Sequence, residues 1–146
     1  MNKMSKTYTY FNELIKPTWA PPAWLFGPVW TFLYILITIS FGKVFIMLFQ
    51  KQISFWVALP FILNLIFNLS FTYFQFGLKN NYLAAVDILL VLITLIWAMV
   101  SIYFTAPKLL SVGGPNIMWI AFINIPYLLW VCFATVLQLT ITYLNR

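Results

Sequence analysis

Four long apolar stretches constrain the fold of this chain more than any other feature of its sequence. Three of the four long intervals between its basic residues contain no charge, and the fourth contains only Asp87. The uncharged intervals lie between residues 16 and 43, 51 and 79, and 108 and 146, and the fourth lies between 79 and 108. A helix of about 20 apolar residues crosses the hydrocarbon core of a bilayer. We therefore predict four membrane-spanning helices.

We designate the predicted helices A to D and place them at residues 22–49, 54–76, 81–105 and 116–144. The last predicted break, at residues 106–115, contains Pro107, Gly113, Gly114 and Pro115, which favour helix termination. The expected fold is all-α, an integral membrane bundle that forms one domain over residues 1–146. Within it, residues 17–146 form the bundle and residues 1–16 form a short interfacial segment.

The first sixteen residues are too polar to span a membrane, since they include three lysines and Glu13. Their apolar side chains suit a short amphipathic segment along the interface, and these are Tyr8, Tyr10, Phe11, Leu14 and Ile15.

The basic residues indicate orientation rather than a charged partner. Four spans place both termini on one side, together with Lys3, Lys6, Lys16, Lys79 and Arg146. The other side holds Lys43, Lys51 and Lys108. The excess on the first side predicts cytoplasmic termini. The charges form no patch or stripe, so we expect a lipid bilayer and no nucleic acid as the partner.

Composition excludes several other classes of protein. Hydrophobic residues make up 64% of the chain and charged residues 7%, whereas soluble domains have about 45–50% and about 25%. The chain has no histidine and one cysteine, Cys132, so a disulfide framework is excluded and we expect no metal site and no conventional enzyme. Aromatic residues are abundant, with 15 Phe, 8 Tyr and 7 Trp.

Predicted helix B carries an amide stripe. Asn64, Asn68 and Gln75 fall within about 40° of one another at 100° per residue. Amides are costly in contact with lipid, so this stripe faces protein or a cavity. Two interpretations stay open: hydrogen bonds between helices, worth about 0.6–2 kcal/mol each, or a polar wall for a ligand.

Predicted helix C places Asp87, Thr94 and Ser101 on one face. A proton relay normally needs several titratable groups, and the only other acid, Glu13, lies outside the spans. We therefore favour a structural or helix-end role for Asp87 over proton pumping.

Aromatic residues lie inside predicted helices A and D, away from the interfacial belt where Trp and Tyr are usual. Trp30 and Tyr34 lie one turn apart in helix A. In helix D, Pro126 leaves the Phe122 carbonyl without its helical donor and predicts a kink. One face of helix D carries Tyr127, Trp130, Ala134, Leu137 and Ile141. These rings describe either bundle packing or an apolar cavity with a few polar contacts.

The segment from Lys16 to Tyr34 closely resembles the TspO/MBR family of tryptophan-rich sensory or translocator proteins. The chain matches the family pattern at Lys16, Pro17, Trp19, Pro21, Pro22, Trp24, Phe26, Pro28, Val29, Trp30, Thr31, Leu33 and Tyr34. The resemblance continues through Asn68, Phe76-Gly77, residues 84–90, residues 126–137 and Leu144-Asn145. It covers nearly all of residues 10–146.

The resemblance implies a membrane protein that binds porphyrins such as protoporphyrin IX, with no tightly bound cofactor, and that often forms a homodimer. It implies a cavity closed by the loop before helix A, in a bacterial cytoplasmic membrane. Trp30 and Trp130 match the two tryptophans linked to light-dependent porphyrin breakdown in some bacterial members. With Tyr34 and Tyr127 added from the aromatic faces, the candidate ligand-binding residues are Trp19, Trp24, Phe26, Trp30, Tyr34, Asn68, Tyr127, Trp130, Ala134 and Leu137.

This chain departs from the family pattern in one main respect. Family members have a helix before the Lys-Pro-x-Trp loop, whereas fifteen residues precede Lys16 here. Helices A to D correspond to the family's second to fifth helices. We expect either a misplaced gene start or a four-span variant whose gap is filled by another subunit or by lipid.

The leading functional expectation is a membrane tetrapyrrole-binding protein that acts as sensor, scavenger or transporter, with light-dependent porphyrin degradation as an added activity. The alternatives are a structural or assembly subunit without its own ligand, and a small lipid or drug carrier.

Overall fold

A computed structural model describes residues 14–145, apart from the side chain of Phe76. Most of the predicted interfacial segment and Arg146 lie outside the described residues. Four helical stretches in the described part are long and apolar enough to cross a membrane. Helix is the regular structure throughout this part of the chain, and it has no strand. The expected all-α membrane fold is therefore confirmed.

The helices are α1 (Phe26–Phe49), α2 (Phe55–Thr72), α3 (Asn81–Ser111), α4 (Met118–Ile123) and α5 (Ile125–Leu144). A 3₁₀ turn, Ala23–Leu25, precedes α1, and a π-helical turn, Tyr73–Gly77, extends α2. Helix α3 packs against both α2 and α5 and forms the centre of the bundle.

The core runs along the inner faces of all four spans. In α1 it includes Leu33, Ile37, Phe41 and Val44, which recur at helical spacing. Phe41 meets Phe61 of α2 edge to face, with ring centroids 4.8 Å apart. The outer faces carry exposed aliphatic and aromatic residues, as expected for surfaces that lie against lipid.

Helix α3 continues to Ser111, six residues beyond the predicted end of helix C. Pro107 removes one backbone donor, but Ala106 is buried and Leu109 packs against the core, which holds the following turns in place. Gly113, two residues after the last residue of the helix, has a φ of +86°. The Gly114 N–H donates to the Leu109 carbonyl at 2.9 Å and the Gly113 N–H to the Leu110 carbonyl at 3.1 Å, a Schellman motif.

The fourth span is divided where the sequence predicted a kink. The predicted single helix at residues 116–144 is wrong in this detail, because α4 ends at Ile123 and α5 begins at Ile125. Pro126 stands in the first turn of α5, where its missing donor costs little. Asn124 occupies the break and is buried.

Both chain ends of the described part lie at one end of the bundle. The Asn145 side chain bonds to the backbone of Ile15. The π-helical turn also lies at this end, since Gln75 accepts a hydrogen bond from Gln138 of α5. The connection between α1 and α2 therefore lies at the opposite end.

Candidate functional site

A group of aromatic rings joins α1 to α5. We call it the aromatic cluster, and it consists of Trp19, Phe26, Trp30, Tyr34, Tyr127, Trp130 and Phe133. Trp30 lies at its centre, with ring centroids 5.5 Å from Tyr34, 6.4 Å from Tyr127 and 6.5 Å from Trp130. The two indole planes are nearly perpendicular, at 89°.

Trp130 links this centre to the preceding loop. Its ring lies 5.9 Å from Phe26 and 5.5 Å from Phe133. Phe133 in turn meets Trp19, which belongs to the loop before α1, at 5.8 Å. The pairs of Trp130 with Phe26 and of Phe133 with Trp19 are edge to face, and such pairs contribute about 0.5–1.5 kcal/mol each beyond burial. The cluster therefore fastens both α1 and the loop to α5.

The indole nitrogen of Trp130 is buried and has no hydrogen-bond partner among residues 14–145. Burying an N–H donor without an acceptor costs about 1–3 kcal/mol. A carbonyl or carboxylate oxygen brought in by a ligand would satisfy this donor. The aromatic cluster thus offers ring faces and edges together with one directional polar contact.

A chain of hydrogen bonds begins at the edge of the aromatic cluster. The Tyr34 hydroxyl donates to Asn68 Oδ1 at 2.8 Å, and Asn68 Nδ2 donates to the Tyr127 hydroxyl at 2.7 Å. The Tyr127 hydroxyl donates to Asn64 Oδ1 at 2.8 Å. Asn64 Nδ2 then donates to the Val91 carbonyl at 3.0 Å and to the Thr94 hydroxyl at 3.2 Å.

This hydrogen-bonded chain gives both asparagines partners on other helices. Asn64 and Asn68 are buried, so each unsatisfied amide would be costly in a membrane interior. The geometry therefore supports the first interpretation of the amide stripe, hydrogen bonding between helices. Contact of Asn68 with a ligand stays a prediction.

Gln75 belongs to a separate polar group at the end of the bundle. It accepts a hydrogen bond from Gln138 Nε2 at 2.9 Å and donates to Asn81 Oδ1 at 3.0 Å. Thr142 completes the group by donating to the Asn81 carbonyl at 3.0 Å. The three amides that share a stripe in the sequence thus serve two different networks.

Asp87 lies on the buried face of α3, two turns before Thr94, and is 3% exposed. Its Oδ2 atom is buried and has no hydrogen-bond partner in the part of the chain that the structure describes. Residues 14–145 contain no group of three or more His, Cys, Asp or Glu side chains that could hold a metal ion.

An open groove of about 450 Å³ lies on the outer face of α1. It is lined by Thr31, Tyr34, Ile35, Thr38 and Ile39. The Thr31 and Thr38 hydroxyls donate to carbonyls of their own helix, which leaves the groove surface mainly apolar. Tyr34 belongs to both the groove and the aromatic cluster.

Most of the residues predicted for the site come together in the structure. Ala134 packs against the main core, and Leu137 lies in a smaller apolar group with Phe26 and Phe133. Trp24 is the exception, because it is 66% exposed and contacts none of the cluster rings described here. It suits the interfacial belt.

Two contributors were missed by reasoning from the sequence alone. Phe133 lies one turn after Trp130 on the same helix face, so helical spacing was a sufficient signal for it. Asn145 contacts Ile15 across 130 positions of sequence, and no local pattern predicts such a pairing.

Comparison with known proteins agrees with the architecture of the bundle and its tryptophans. The family model described as the TspO/MBR family matches residues 1–144. The tryptophan-rich protein TspO of Bacillus cereus is 39% identical over 94% of this chain and 81% of its own length. The uncharacterized membrane protein YtaB of Bacillus subtilis is 35% identical over 93% of this chain and 80% of its own length.

The similarity extends beyond these two bacilli. Protein CrtK of Rhodobacter capsulatus is 30% identical over 93% of this chain and 78% of its own length. The family-model match over residues 1–144 includes the loop, the four spans and the positions of all the aromatic-cluster residues. The chain is therefore an integral membrane protein that belongs to the TspO/MBR family.

Proposed function

We propose that this protein binds a flat tetrapyrrole such as protoporphyrin IX within the membrane. The observation that carries the proposal is the pairing of Trp30 with Trp130, whose ring centroids lie 6.5 Å apart. The buried indole N–H of Trp130 has no acceptor among the described residues. Apolar sites with a few convergent polar groups are typical of small-molecule binding. Membership of the TspO/MBR family supports the same proposal.

The chemistry of the cluster favours a ligand with an extended aromatic face. Each ring–ring contact in the cluster can be exchanged for a ring–ligand contact of similar energy. The Trp130 indole would donate to an acceptor on the ligand, and such an acceptor is present on the propionate groups of protoporphyrin IX. Stacking and one hydrogen bond need no metal in the ligand.

Metal-free porphyrin fits this chain better than haem. Haem iron takes axial ligands such as His, Cys, Met or Tyr. The chain has no His, its one cysteine, Cys132, is exposed, and the aromatic cluster contains no Met. The two tyrosine hydroxyls of the cluster, those of Tyr34 and Tyr127, already donate to Asn68 and Asn64. We therefore propose protoporphyrin IX as the ligand class and a role in sensing, scavenging or transport of that ligand.

The binding proposal is tested by titrating the purified protein in detergent with protoporphyrin IX and following tryptophan fluorescence. We expect saturable quenching, which Trp130→Ala reduces because it removes both a stacking surface and the donor. Trp56→Ala is the matched control, since Trp56 is 71% exposed and lies outside the cluster. Quenching that never saturates, or that both variants alter equally, would contradict the proposal.

A second candidate function is a structural or assembly subunit without its own ligand. Internal contacts favour it, because the cluster rings pack against one another. The Asn64 and Asn68 amides of α2 also bond to other helices. The lipid or drug carrier alternative draws support from the apolar groove on α1. The same titration separates these candidates, because a structural subunit gives only linear inner-filter loss of fluorescence.

A further inference from the structure

The side chain of Asn145, just after α5, is bonded to the backbone of Ile15 at the start of the loop before α1. The Ile15 N–H donates to Asn145 Oδ1 at 3.1 Å, and Asn145 Nδ2 donates to the Ile15 carbonyl at 2.8 Å. We propose that Asn145 is a latch that holds this loop closed over the aromatic cluster and so sets the rates of ligand entry and exit. The proposal rests on ligand binding at that cluster, as proposed above.

The Asn145 amide is fixed in one orientation by its other contacts. Its Nδ2 atom also donates to the Ile141 carbonyl at 2.8 Å, within its own helix. A rotated amide would set Oδ1 against the carbonyls of Ile15 and Ile141, which are both acceptors. The side chain is thereby presented to the loop ready to form both bonds.

The loop that Asn145 holds is short and stiff. We call residues 15–22 the strap. Pro17, Pro21 and Pro22 restrict its backbone, and the Ala20 N–H closes a turn onto the Pro17 carbonyl at 3.1 Å. We expect a segment with so few free backbone torsions to move as a unit when one of its ends is released.

The strap lies against α5 beside the aromatic cluster. Trp19 meets Phe133 at 5.8 Å, and Phe133 meets Trp130 at 5.5 Å. Leu14 and Ala20 pack in the same apolar group as Leu137 and Ile141. The strap is therefore anchored by α1 at one end and by Asn145 at the other. Its Trp19 side chain forms part of the aromatic cluster.

This arrangement makes Asn145 a positioning residue, since it acts on the cluster through the strap. A latch present in both the free and the ligand-bound protein slows entry and exit alike. Its loss therefore raises both rate constants while the dissociation constant changes little. A residue that only caps α5 would affect thermal stability and leave these rates unchanged.

The experiment compares wild type, Asn145→Ala and Asn145→Asp in detergent by hydrogen exchange and stopped-flow mixing with protoporphyrin IX. In Asn145→Ala we expect the Ile15 amide to exchange about tenfold faster and the porphyrin to enter and leave about tenfold faster, which corresponds to about 1.4 kcal/mol. Asn145→Asp keeps the acceptor and loses both donors, so it should be intermediate. Asn145→Asp also provides the test if Asn145→Ala does not fold.

The matched control is Asn116→Ala, which removes an asparagine that bonds the Met118 backbone at the opposite end of the fourth span. This control should leave the Ile15 exchange and both porphyrin rates unchanged. Unchanged Ile15 exchange in Asn145→Ala overturns the latch. Faster exchange with unchanged porphyrin rates overturns its role as a gate.

Failure of the proposed function gives a different pattern. If wild type shows no saturable porphyrin binding, the binding proposal fails and the gate fails with it. The Ile15 exchange rates of wild type and Asn145→Ala would still show whether the strap is latched.

Discussion

At the scale of single residues, the structure separates side chains that hold the bundle together from those available to a ligand. Asn68 accepts a hydrogen bond from Tyr34 and donates one to Tyr127. Trp130 keeps a buried donor that has no acceptor among residues 14–145. All four residues are candidates from the sequence, but the sequence does not rank them, because partners on other helices are not visible in local spacing.

The two buried asparagines of α2 should differ in their effect on ligand binding. Asn68→Leu removes the acceptor of Tyr34 and the donor to Tyr127, and both of these rings belong to the aromatic cluster. Asn64→Leu disturbs Tyr127 but leaves the bond of Tyr34 to Asn68 in place. We expect both variants to lose about 1–3 kcal/mol of stability, and Asn68→Leu to weaken porphyrin binding more.

Thermal unfolding and porphyrin titration of the two variants check this expectation. Equal losses of affinity, each explained by lost stability alone, would show that Asn68 is purely structural.

The paired indoles carry the expectation for light-driven chemistry. Trp30 and Trp130 pair edge to face, with ring centroids 6.5 Å apart, and we propose that a bound porphyrin stacks there. Phenylalanine keeps a stacking surface but is much harder to oxidise than indole. Trp30→Phe and Trp130→Phe should therefore keep most of the porphyrin affinity and slow any light-driven loss of bound porphyrin.

Illumination of each protein with protoporphyrin IX, followed at the Soret band, measures this loss. If wild type and both variants bleach at the rate of free porphyrin, the protein has no photochemical activity and the indoles only bind or pack.

At the scale of helices and their ends, charge and proline explain where prediction succeeded and where it failed. Three uncharged intervals and one that contains only Asp87 located the four spans, and helix α1 ends at Phe49 as predicted. The end of α3 was predicted too early because Pro107, Gly113 and Gly114 together indicate a single break in the sequence. In the structure the helix continues through Pro107, since Ala106 packs in the core. Tertiary packing of this kind leaves no local pattern.

The first two spans are joined by a turn that resembles the end of α3 but has lysine in place of glycine. Lys51 has a φ of 59°, and the Gln52 N–H donates to the Met47 carbonyl at 2.9 Å. A non-glycine residue in this left-handed conformation costs about 1 kcal/mol. Lys51→Gly should therefore raise the free energy of unfolding by about 0.5–1 kcal/mol, and Gly113→Ala should lower it by a similar amount.

Unfolding of both variants in detergent measures the two changes. Lys51→Ala separates the loss of charge from the gain of backbone freedom, because alanine removes the charge and keeps the strain. Equal stabilisation by glycine and alanine would contradict the backbone explanation.

At the scale of the whole molecule, the four spans found in residues 14–145 and the contact between Ile15 and Asn145 place these two residues on one side of the membrane. The side itself depends on charge, and Lys79 lies in the loop that shares this end. The number of spans and the distribution of charge could be predicted from the sequence. Only the structure shows the direct contact between Ile15 and Asn145, which lie 130 positions apart.

We propose that this end faces the cytoplasm. A reporter fused after Arg146 should be active as a cytoplasmic fusion, and one placed in the loop near Lys51 should be active as an external fusion. Exchanging the charges by Lys79→Gln, with a lysine added beside Lys51, should weaken the preference. External activity of the C-terminal fusion in the unaltered chain would contradict the proposed orientation.

The hydrogen-bonded chain that starts at Tyr34 also bears on how the bundle assembles. Membrane helices insert one by one and associate afterwards. Tyr34 comes from α1, Asn64 and Asn68 from α2, Thr94 from α3 and Tyr127 from α5. Any two of these helices that associate alone leave at least one amide or hydroxyl of the hydrogen-bonded chain without its final partner. These polar groups therefore disfavour partly associated bundles and favour cooperative assembly of all four spans.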